Sequence, residues 1–595
     1  MNEFNDREKE LSRTAYPLGE TDDKLIIYQL LVRLFGNKQT KLHIHGSLAE
    51  NGVGKLNDLN DAALKAFRQM GITHVWYTGL IEHASLTDYS RFDISPDHPA
   101  VVKGQAGSPY AIKDYYDVHP DLAEDVPQRM AEFELLVDRT HRHGLNVIID
   151  FVPNHVARSY HSDAKPTDVS DLGAHDQLTE AFHPQNNFYY LPGQAFVPPN
   201  GYQPFGPDKK IDPTLNPYTE IPAKVTGNDV FSAHPGINDW FETIKLNYGV
   251  DIQHDYQQHF EPTPDTWQKM YDILAFWASK GVDGFRCDMV HLVPIEFWAW
   301  VIPKVKAKYP AMVFIGEIYD PQLYQAYIHQ AKFDYLYDKV GLYDHLRKLM
   351  NIEESTRNIH RVLHQSEGMA DRMLRFLENH DEQRIASPQF AADPWKAIPA
   401  MTISATLSRG PVMIYFGQEV GESAAGASGF SGDDGRTTLF DYWSVPEHQK
   451  WMNNGLFDGA QLAEEQEELR DFYVRLLNLC RANEAIRNGH FYELPAPNIS
   501  EPHPHLVYSF LRHTEHQQIL VMANFSPDTP LKVPVFIPEH AWQVMQKDPF
   551  NSYILQDLLF TDTNLPLKGG MTIDMPPLSA SVFELREVGS LLKSH

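Results

Sequence analysis

The residues best suited to chemistry lie at positions 281–288, GVDGFRCD. Gly281 follows a helix-like run, and the residues after it predict a short buried strand. Side chains alternate along a strand, so Arg286 and Asp288 share one face. At the C-terminal end of a barrel strand, such a pair is placed for catalysis, because the guanidinium keeps the carboxylate ionised as a nucleophile. A salt bridge that closes the strand end is the competing interpretation.

Three further predicted strands also end in polar residues. These ends read DFVPNH at residues 150–155, GE at 316–317 and ENHD at 378–381. The parallel strands of a barrel present their C-terminal ends at one mouth, where the active sites of such folds lie. Four polar strand ends in chain order therefore predict one shared site rather than separate salt bridges.

The elements between these motifs predict a (β/α)8 barrel. Helix-like runs stop at Gly71, Gly144 and Gly281, and each gives way to a strand. The predicted strands are residues 25–36, 74–78, 147–152, the short strand within 281–288, 314–317, 333–337, 375–381 and 411–417. Alternating strands and helices indicate a parallel sheet, and eight strands fit a barrel. A doubly wound open sheet would also alternate, but its glycine-rich phosphate fingerprint is missing from the sequence.

Changes in composition divide the chain into four parts. Residues 1–24 are an N-terminal extension, residues 25–155 and 261–484 form the catalytic barrel, residues 156–260 form an inserted domain, and residues 485–595 form a C-terminal domain. A hairpin pattern near residues 506–525 predicts that this last domain is an antiparallel β-sandwich. The insert is rich in aromatics, which either stack on sugar rings or form its own small core: Phe188, Tyr189, Tyr190, Phe196, Tyr202 and Phe205.

The bulk composition excludes several classes of function. A formal net charge of −28 argues against nucleic acid and anionic membrane surfaces as partners. Two cysteines, Cys287 and Cys480, do not make a disulfide framework or a thiolate metal site. No segment is long and apolar enough to span a bilayer, and residues 1–25 do not read as a signal peptide. We therefore expect a cytoplasmic protein, although a secreted mature chain would look the same. The sequence leaves the oligomeric state open.

The polar strand ends resemble, in order and spacing, the conserved regions of the α-amylase family, glycoside hydrolase family 13, and of its amylases and maltodextrin hydrolases in particular. The resemblance covers nearly the whole chain. It implies that Asp288 is the nucleophile, that Glu317 is the general acid/base and that Asp381 is a third carboxylate gripping the ring hydroxyls. Retention needs such a nucleophile and acid pair. Arg286 would keep Asp288 ionised, and crowding by Asp288 and Asp381 would raise the pKa of Glu317.

The resemblance also implies a set of substrate-binding residues. His155 and His380 match the family's histidines that hydrogen-bond the sugar in subsite −1, and Tyr110 would stack on that sugar. Starch enzymes of the family often carry Lys-His after the nucleophile, where this chain has His291-Leu292. His291 is therefore the expected residue of subsite +1, and the acceptor side differs from the family pattern.

Many relatives bind calcium between the barrel and the insert. The asparagine ligand is present as Asn154, but Lys245 stands where an aspartate ligand belongs. An ammonium cannot ligate calcium, although it can take the cation's place and bridge the same carbonyl groups. We expect no required cofactor, with calcium possible but disfavoured by Lys245.

The sequence thus predicts a retaining α-glucan hydrolase that cleaves α-1,4 links of malto-oligosaccharides or starch. One alternative is a transglycosylase of the same family, which keeps every catalytic residue and passes the glycosyl-enzyme to a sugar. Another is a catalytically inactive carbohydrate-binding scaffold, which is disfavoured because Asp288, Glu317 and Asp381 are all present.

Overall fold

The computed structural model describes residues 24–206, 211–212, 215–366, 368–426, 429–430, 432–496, 505–561 and 563–588 of the 595. The predicted extension, residues 1–24, lies outside the described residues except for Lys24. Lys24 is buried and donates from Nζ to the backbone carbonyl oxygen of Ser408 at 2.7 Å.

Eight parallel strands form the central sheet. In chain order they are β1 Ile26–Leu31, β2 His74–Thr78, β3 Asn146–Phe151, β4 Gly284–Cys287, β5 Val313–Gly316, β6 Tyr335–Tyr337, β7 Met373–Leu374 and β8 Val412–Tyr415. Their order in the sheet is β7-β6-β5-β4-β3-β2-β1-β8. A parallel bridge between Arg375 and Val412 joins the two outermost strands and closes the barrel. The predicted (β/α)8 barrel is confirmed.

At least one helix follows each strand and covers the barrel from outside. These helices are Asp61–Met70, Arg129–Arg142, Asp265–Ser279, Ile295–Lys308, Tyr324–His329, Asp344–Met350, Ile359–Gln365, Ala397–Thr406, Pro446–Met452 and Glu464–Ala482. Gly71, Gly144 and Gly281 have φ values of 97°, 67° and 92°, the left-handed conformation that a glycine after a helix supplies. None of the helices within the described ranges is long and apolar enough to cross a membrane.

Two predicted strands differ most from the structure in their bounds. The first ends at Leu31, and a short helix, Val32–Phe35, completes the apolar run. Both segments are buried, and a continuous apolar run does not distinguish a buried strand from a buried helix. In place of the strand predicted at 375–381, the structure has Met373–Leu374 followed by a single bridge at Arg375, and the chain turns further on, where Asn379 Oδ1 accepts the backbone N–H groups of Asp381 and Glu382.

Between β3 and β4, short antiparallel strand pairs interrupt the alternation of barrel strands and helices. They are His155–Ala157 with Thr243–Lys245, Tyr190–Leu191 with Ala223–Lys224, and Val250–Asp251 with Gln257–Gln258. Four of the six aromatics singled out in this insert are no more than 3% exposed: Phe188, Tyr189, Tyr190 and Phe196. These four therefore pack in the interior, and a sugar-stacking role does not apply to them.

Antiparallel strands make up the C-terminal part of the chain. A six-stranded sheet runs in the order His490–Glu493, Val507–His513, Gln518–Asn524, Ser579–Glu587, Tyr553–Asp557 and Asn564–Pro566. A second sheet pairs Leu531–Pro534 with Thr572–Met575. Apolar side chains of both sheets, among them Leu520 and Val533, share one core, as in a small sandwich.

Candidate active site

Arg286 is the centre of a buried polar cluster at the C-terminal mouth of the barrel. Its side chain is fully buried at the end of β4, with Nη1 3.0 Å from Asp288 Oδ1 and Nη2 2.7 Å from Glu317 Oε2. Nη1 also lies 3.4 Å from Asp150 Oδ1, at the end of β3. One guanidinium thus bridges carboxylates from three adjacent strands, which explains how so many buried acidic groups are tolerated together.

Glu317 follows β5 and has polar partners on both carboxyl oxygens. Oε2 accepts the backbone N–H of Met289 at 2.9 Å in addition to its ion-pair contact with Arg286, and Oε1 accepts the hydroxyl of Tyr319. Met289 is in the left-handed region, with φ 44° and ψ 48°. A non-glycine residue held there is strained, and here the strained turn points a backbone donor at Glu317.

Asp381 is the most open of the three predicted carboxylates, with a side chain 30% exposed. Its Oδ2 lies 3.0 Å from His380 Nε2, which also contacts the hydroxyl of Tyr110. Gln29 Nε2, at the end of β1, lies 2.7 Å from His380 Nδ1. Nε2 of the imidazole therefore faces Asp381 and Tyr110, and Nδ1 faces Gln29.

The carboxylates differ in the direction of their pKa shifts. Burial, and then the charge of Glu317, raise the pKa of Asp288 well above 3.8, against the opposing effect of Arg286. Although burial alone would raise it, His380 and Arg286 lower the pKa of Asp381 below 3.8. We expected the raised pKa on Glu317. That expectation stays a prediction; the structure shows that Glu317 has the shorter Arg286 contact and two further hydrogen-bond donors, the Met289 N–H and the Tyr319 hydroxyl.

Aromatic rings enclose the Arg286 guanidinium. Its central carbon lies 5.3 Å from the ring centroids of Trp76 and Tyr110 and 5.5 Å from that of Tyr337. The Tyr110 ring also stacks on His380, with centroids 5.3 Å apart. Cation–π contacts hold the charge in place and exclude water from it.

The two remaining predicted substrate-binding residues lie beside this cluster. His155 pairs with Lys245 across the first strand pair of the insert, and burial followed by the charge of Lys245 lowers its pKa to about 3, so the imidazole is neutral. His291 lies in the turn after β4, half-buried, where desolvation lowers its pKa although the carboxylates of Glu317 and Asp320 oppose this. A neutral imidazole can both donate to and accept from sugar hydroxyls.

Lys245 lies among oxygen donors at the junction of the barrel and the insert. Its Nζ is 2.6 Å from Asn154 Oδ1, 2.8 Å from Asp229 Oδ1 and 3.3 Å from the carbonyl oxygen of Leu292. The side chain is buried, and desolvation lowers its pKa, opposed by Asp229. An ammonium inside the set of oxygen donors repels a divalent cation, so these residues do not fit calcium.

Direct contacts join six of the eight predicted catalytic and substrate-binding residues: Arg286, Asp288, Glu317, Asp381, His380 and Tyr110. His155 makes a hydrogen bond with the backbone of Tyr110, and His291 lies in the turn after β4. Sequence reasoning missed Gln29, Trp76, Tyr319 and Tyr337. Gln29 could have been found, because it is the one polar residue of the apolar strand β1. Tyr319 has the weaker signal of lying two residues after Glu317, with the side-chain period of an extended segment.

A parallel barrel that gathers three carboxyl groups at the C-terminal ends of its strands is the architecture of a glycoside hydrolase. The family model described as "Alpha amylase, catalytic domain" matches residues 48–438. The chain belongs to the α-amylase family.

Known proteins similar to the chain agree with this assignment. Alpha-amylase 3 of Dictyoglomus thermophilum is 22% identical over 518 residues, which cover 84% of each chain. Cyclomaltodextrin glucanotransferase of Geobacillus stearothermophilus is 22% identical over 416 residues, 66% of this chain and 49% of that protein. Among solved structures, an α-amylase from Geobacillus thermoleovorans complexed with acarbose superposes with a TM-score of 0.58 at 19% identity, covering 95% of this chain and 99% of that one.

Proposed function

We propose that the protein is a retaining α-glucan hydrolase that cleaves α-1,4-glucosidic bonds of malto-oligosaccharides or starch. The observation that carries the proposal is the contact of Arg286 with both Asp288 and Glu317, at 3.0 and 2.7 Å. Two carboxyl groups held this close to one cation repel each other when both are ionised, which favours the pairing of one ionised with one protonated carboxyl that retention uses.

In the first step, Asp288 attacks the anomeric carbon while Glu317 gives its proton to the glycosidic oxygen. The bond to the leaving sugar breaks, and an ester bond to Asp288 forms. In the second step, Glu317 takes a proton from water, the water oxygen bonds to the anomeric carbon, and Asp288 leaves. In this proposal Glu317 holds the proton of the pair when the first step begins, because only a protonated carboxyl can donate to the sugar oxygen.

Asp381 and the neutral histidines supply substrate contacts in this proposal. The lowered pKa of Asp381 keeps it ionised, so that it can accept hydrogen bonds from ring hydroxyls that strengthen as the ring flattens in the transition state. The stacked Tyr110 and His380 rings provide a wall against which the cleaved sugar packs.

The test uses maltoheptaose with the wild-type protein and with Glu317→Gln and Asp288→Asn. We expect shorter products in the α-anomeric form, and a loss of kcat of about 10³-fold or more in each variant with an unchanged melting temperature. Near-normal activity in either variant, or release of the β-anomer first, would contradict the assignment.

A transglycosylase is the second candidate, favoured by the similarity to a glucanotransferase and by His291-Leu292 on the acceptor side. It would use the same glycosyl-enzyme but transfer it to a sugar hydroxyl. The same time course separates the two, because products longer than the substrate at early times indicate transfer.

A further inference from the structure

The two carboxyl oxygens of Glu317 have different environments. Oε2 lies 2.7 Å from the Arg286 guanidinium and accepts the Met289 N–H at 2.9 Å. Oε1 accepts the hydroxyl of Tyr319, which comes two residues later along the chain and is partly exposed. Oε2 therefore lies beside a positive charge and an N–H donor, whereas Oε1 faces a neutral hydroxyl group.

This asymmetry fixes where an acidic proton can reside. A proton on Oε2 would be repelled by the guanidinium and would compete with an N–H donor held in place by the left-handed backbone of Met289. The proton must therefore occupy Oε1. That oxygen is the one that Tyr319 touches.

We propose that Tyr319 is a positioning residue for the general acid/base: its hydroxyl holds Oε1 of Glu317 toward the leaving and incoming oxygen atoms and stabilises the carboxylate left after proton transfer. This inference rests on the proposed role of Glu317.

Glu317 gives up one proton in the first step and regains one in the second, so its protonation is restored after each cycle. In glycosylation, Oε1 gives up its proton to the departing sugar oxygen, and Tyr319 keeps its own proton while donating a hydrogen bond to the carboxylate that forms. In deglycosylation, Oε1 receives a proton from the attacking water, and Tyr319 again keeps its own proton. Burial, and then Glu317 itself, raise the pKa of Tyr319 well above 10, so the phenol remains a donor throughout the working pH range.

The test compares Tyr319→Phe with the wild type in the pH dependence of kcat/KM on maltoheptaose. A hydrogen bond donated to a carboxylate favours its ionised form. Removing that bond should therefore keep Glu317 protonated up to a higher pH. We expect the alkaline limb of the profile to move up by about one pH unit, the size of a lost charge-assisted hydrogen bond. Tyr327→Phe is the matched control, because its buried hydroxyl donates to the carbonyl of Val290 at 3.2 Å.

A second readout uses substrates with different leaving groups. A nitrophenyl α-maltotrioside hardly needs protonation of its leaving group, whereas maltoheptaose does. We expect Tyr319→Phe to lower kcat/KM about tenfold on maltoheptaose and less than about threefold on the nitrophenyl substrate. A merely structural role would lower both equally. An unshifted pH profile, or equal losses on the two substrates, would overturn the inference.

Glu317→Gln separates this inference from the function on which it rests. If that variant keeps full activity on maltoheptaose, the proposed function itself fails. If Glu317→Gln loses activity mainly on maltoheptaose while Tyr319→Phe behaves as the wild type, only the role of Tyr319 fails. Should Tyr319→Phe not fold, Tyr319→Leu, with a smaller side chain in the open cleft, gives the same pH comparison.

Discussion

Replacing Lys245 by methionine tests whether an ammonium takes the place of a metal ion at the junction of barrel and insert. Methionine keeps most of the length of the side chain but removes the charge and all three donors. The change leaves Asn154 Oδ1, the Leu292 carbonyl and the Asp229 carboxylate without the contacts they now make at 2.6, 3.3 and 2.8 Å.

The structure sets the expected loss of stability. Removing one partner of a fully buried ion pair destabilises a protein by about 3–5 kcal/mol. The Asp229 side chain is 30% exposed, so water can partly replace the lost contact, and we expect about 2–3 kcal/mol. An unfolding entropy of about 2.1 cal/mol/K per residue gives about 1.2 kcal/mol/K for a chain of this length, and so a fall in melting temperature of about 2 °C.

The assay is thermal unfolding in EDTA and in millimolar calcium, for the wild type, Lys245→Met and Lys245→Asp. The melting temperature of the wild type, and the lower one of Lys245→Met, should each be the same in EDTA as in calcium. Lys245→Asp places a carboxylate beside three oxygen donors, and such a set binds calcium with water completing the shell. That variant should melt lower than the wild type in EDTA and recover when calcium is added.

Two results would refute this reasoning. The first is a wild-type melting temperature that rises with calcium and falls with EDTA, which would mean that a cation binds at the junction despite Lys245. The second is a Lys245→Met protein as stable as the wild type. Lys38→Met is the control, because the Lys38–Asp58 pair at 2.7 Å is 47% exposed on the lysine side, and its loss should change stability by less than about 1 kcal/mol.

Two further predictions concern charge at the site and in the core. Arg286→Lys cannot contact both carboxylates as the fork of arginine does, so kcat/KM on maltoheptaose should fall about 10- to 100-fold with the melting temperature nearly kept; a loss below threefold would contradict this. Burial lowers the pKa of His448 from 6.5 to about 3, so the unfolded state takes up the proton first as the pH falls. The stability His448 contributes is complete above pH 6.5 and declines toward pH 3. Urea unfolding should show that His448→Gln abolishes about 1.4 kcal/mol of the loss between pH 7.5 and 5.5; equal losses in both proteins would refute the assignment.

Local sequence patterns are enough to predict most of the fold. The helix–glycine–strand alternation around Gly71, Gly144 and Gly281 reflects backbone preferences that act over a few residues, and it is enough to predict the parallel sheet. The bounds of β7 could not be predicted this way. Asn379 accepts two backbone N–H groups in a turn within the predicted strand 375–381, and hydrophobic periodicity does not register such a side-chain contact.

The sequence by itself determined which residue types meet at the mouth of the barrel. Strand ends place Arg286, Asp288, Glu317 and Asp381 there, since the C-terminal ends of parallel strands share one face. Only the tertiary structure decided how the charge is shared among them. Arg286 lies nearer to Glu317 than to Asp288, Met289 and Tyr319 occupy opposite oxygens of Glu317, and Lys245 stands among the oxygen donors of the junction. Electrostatic effects depend on distances of a few tenths of an ångström and on burial, and both arise from packing between segments far apart in the chain.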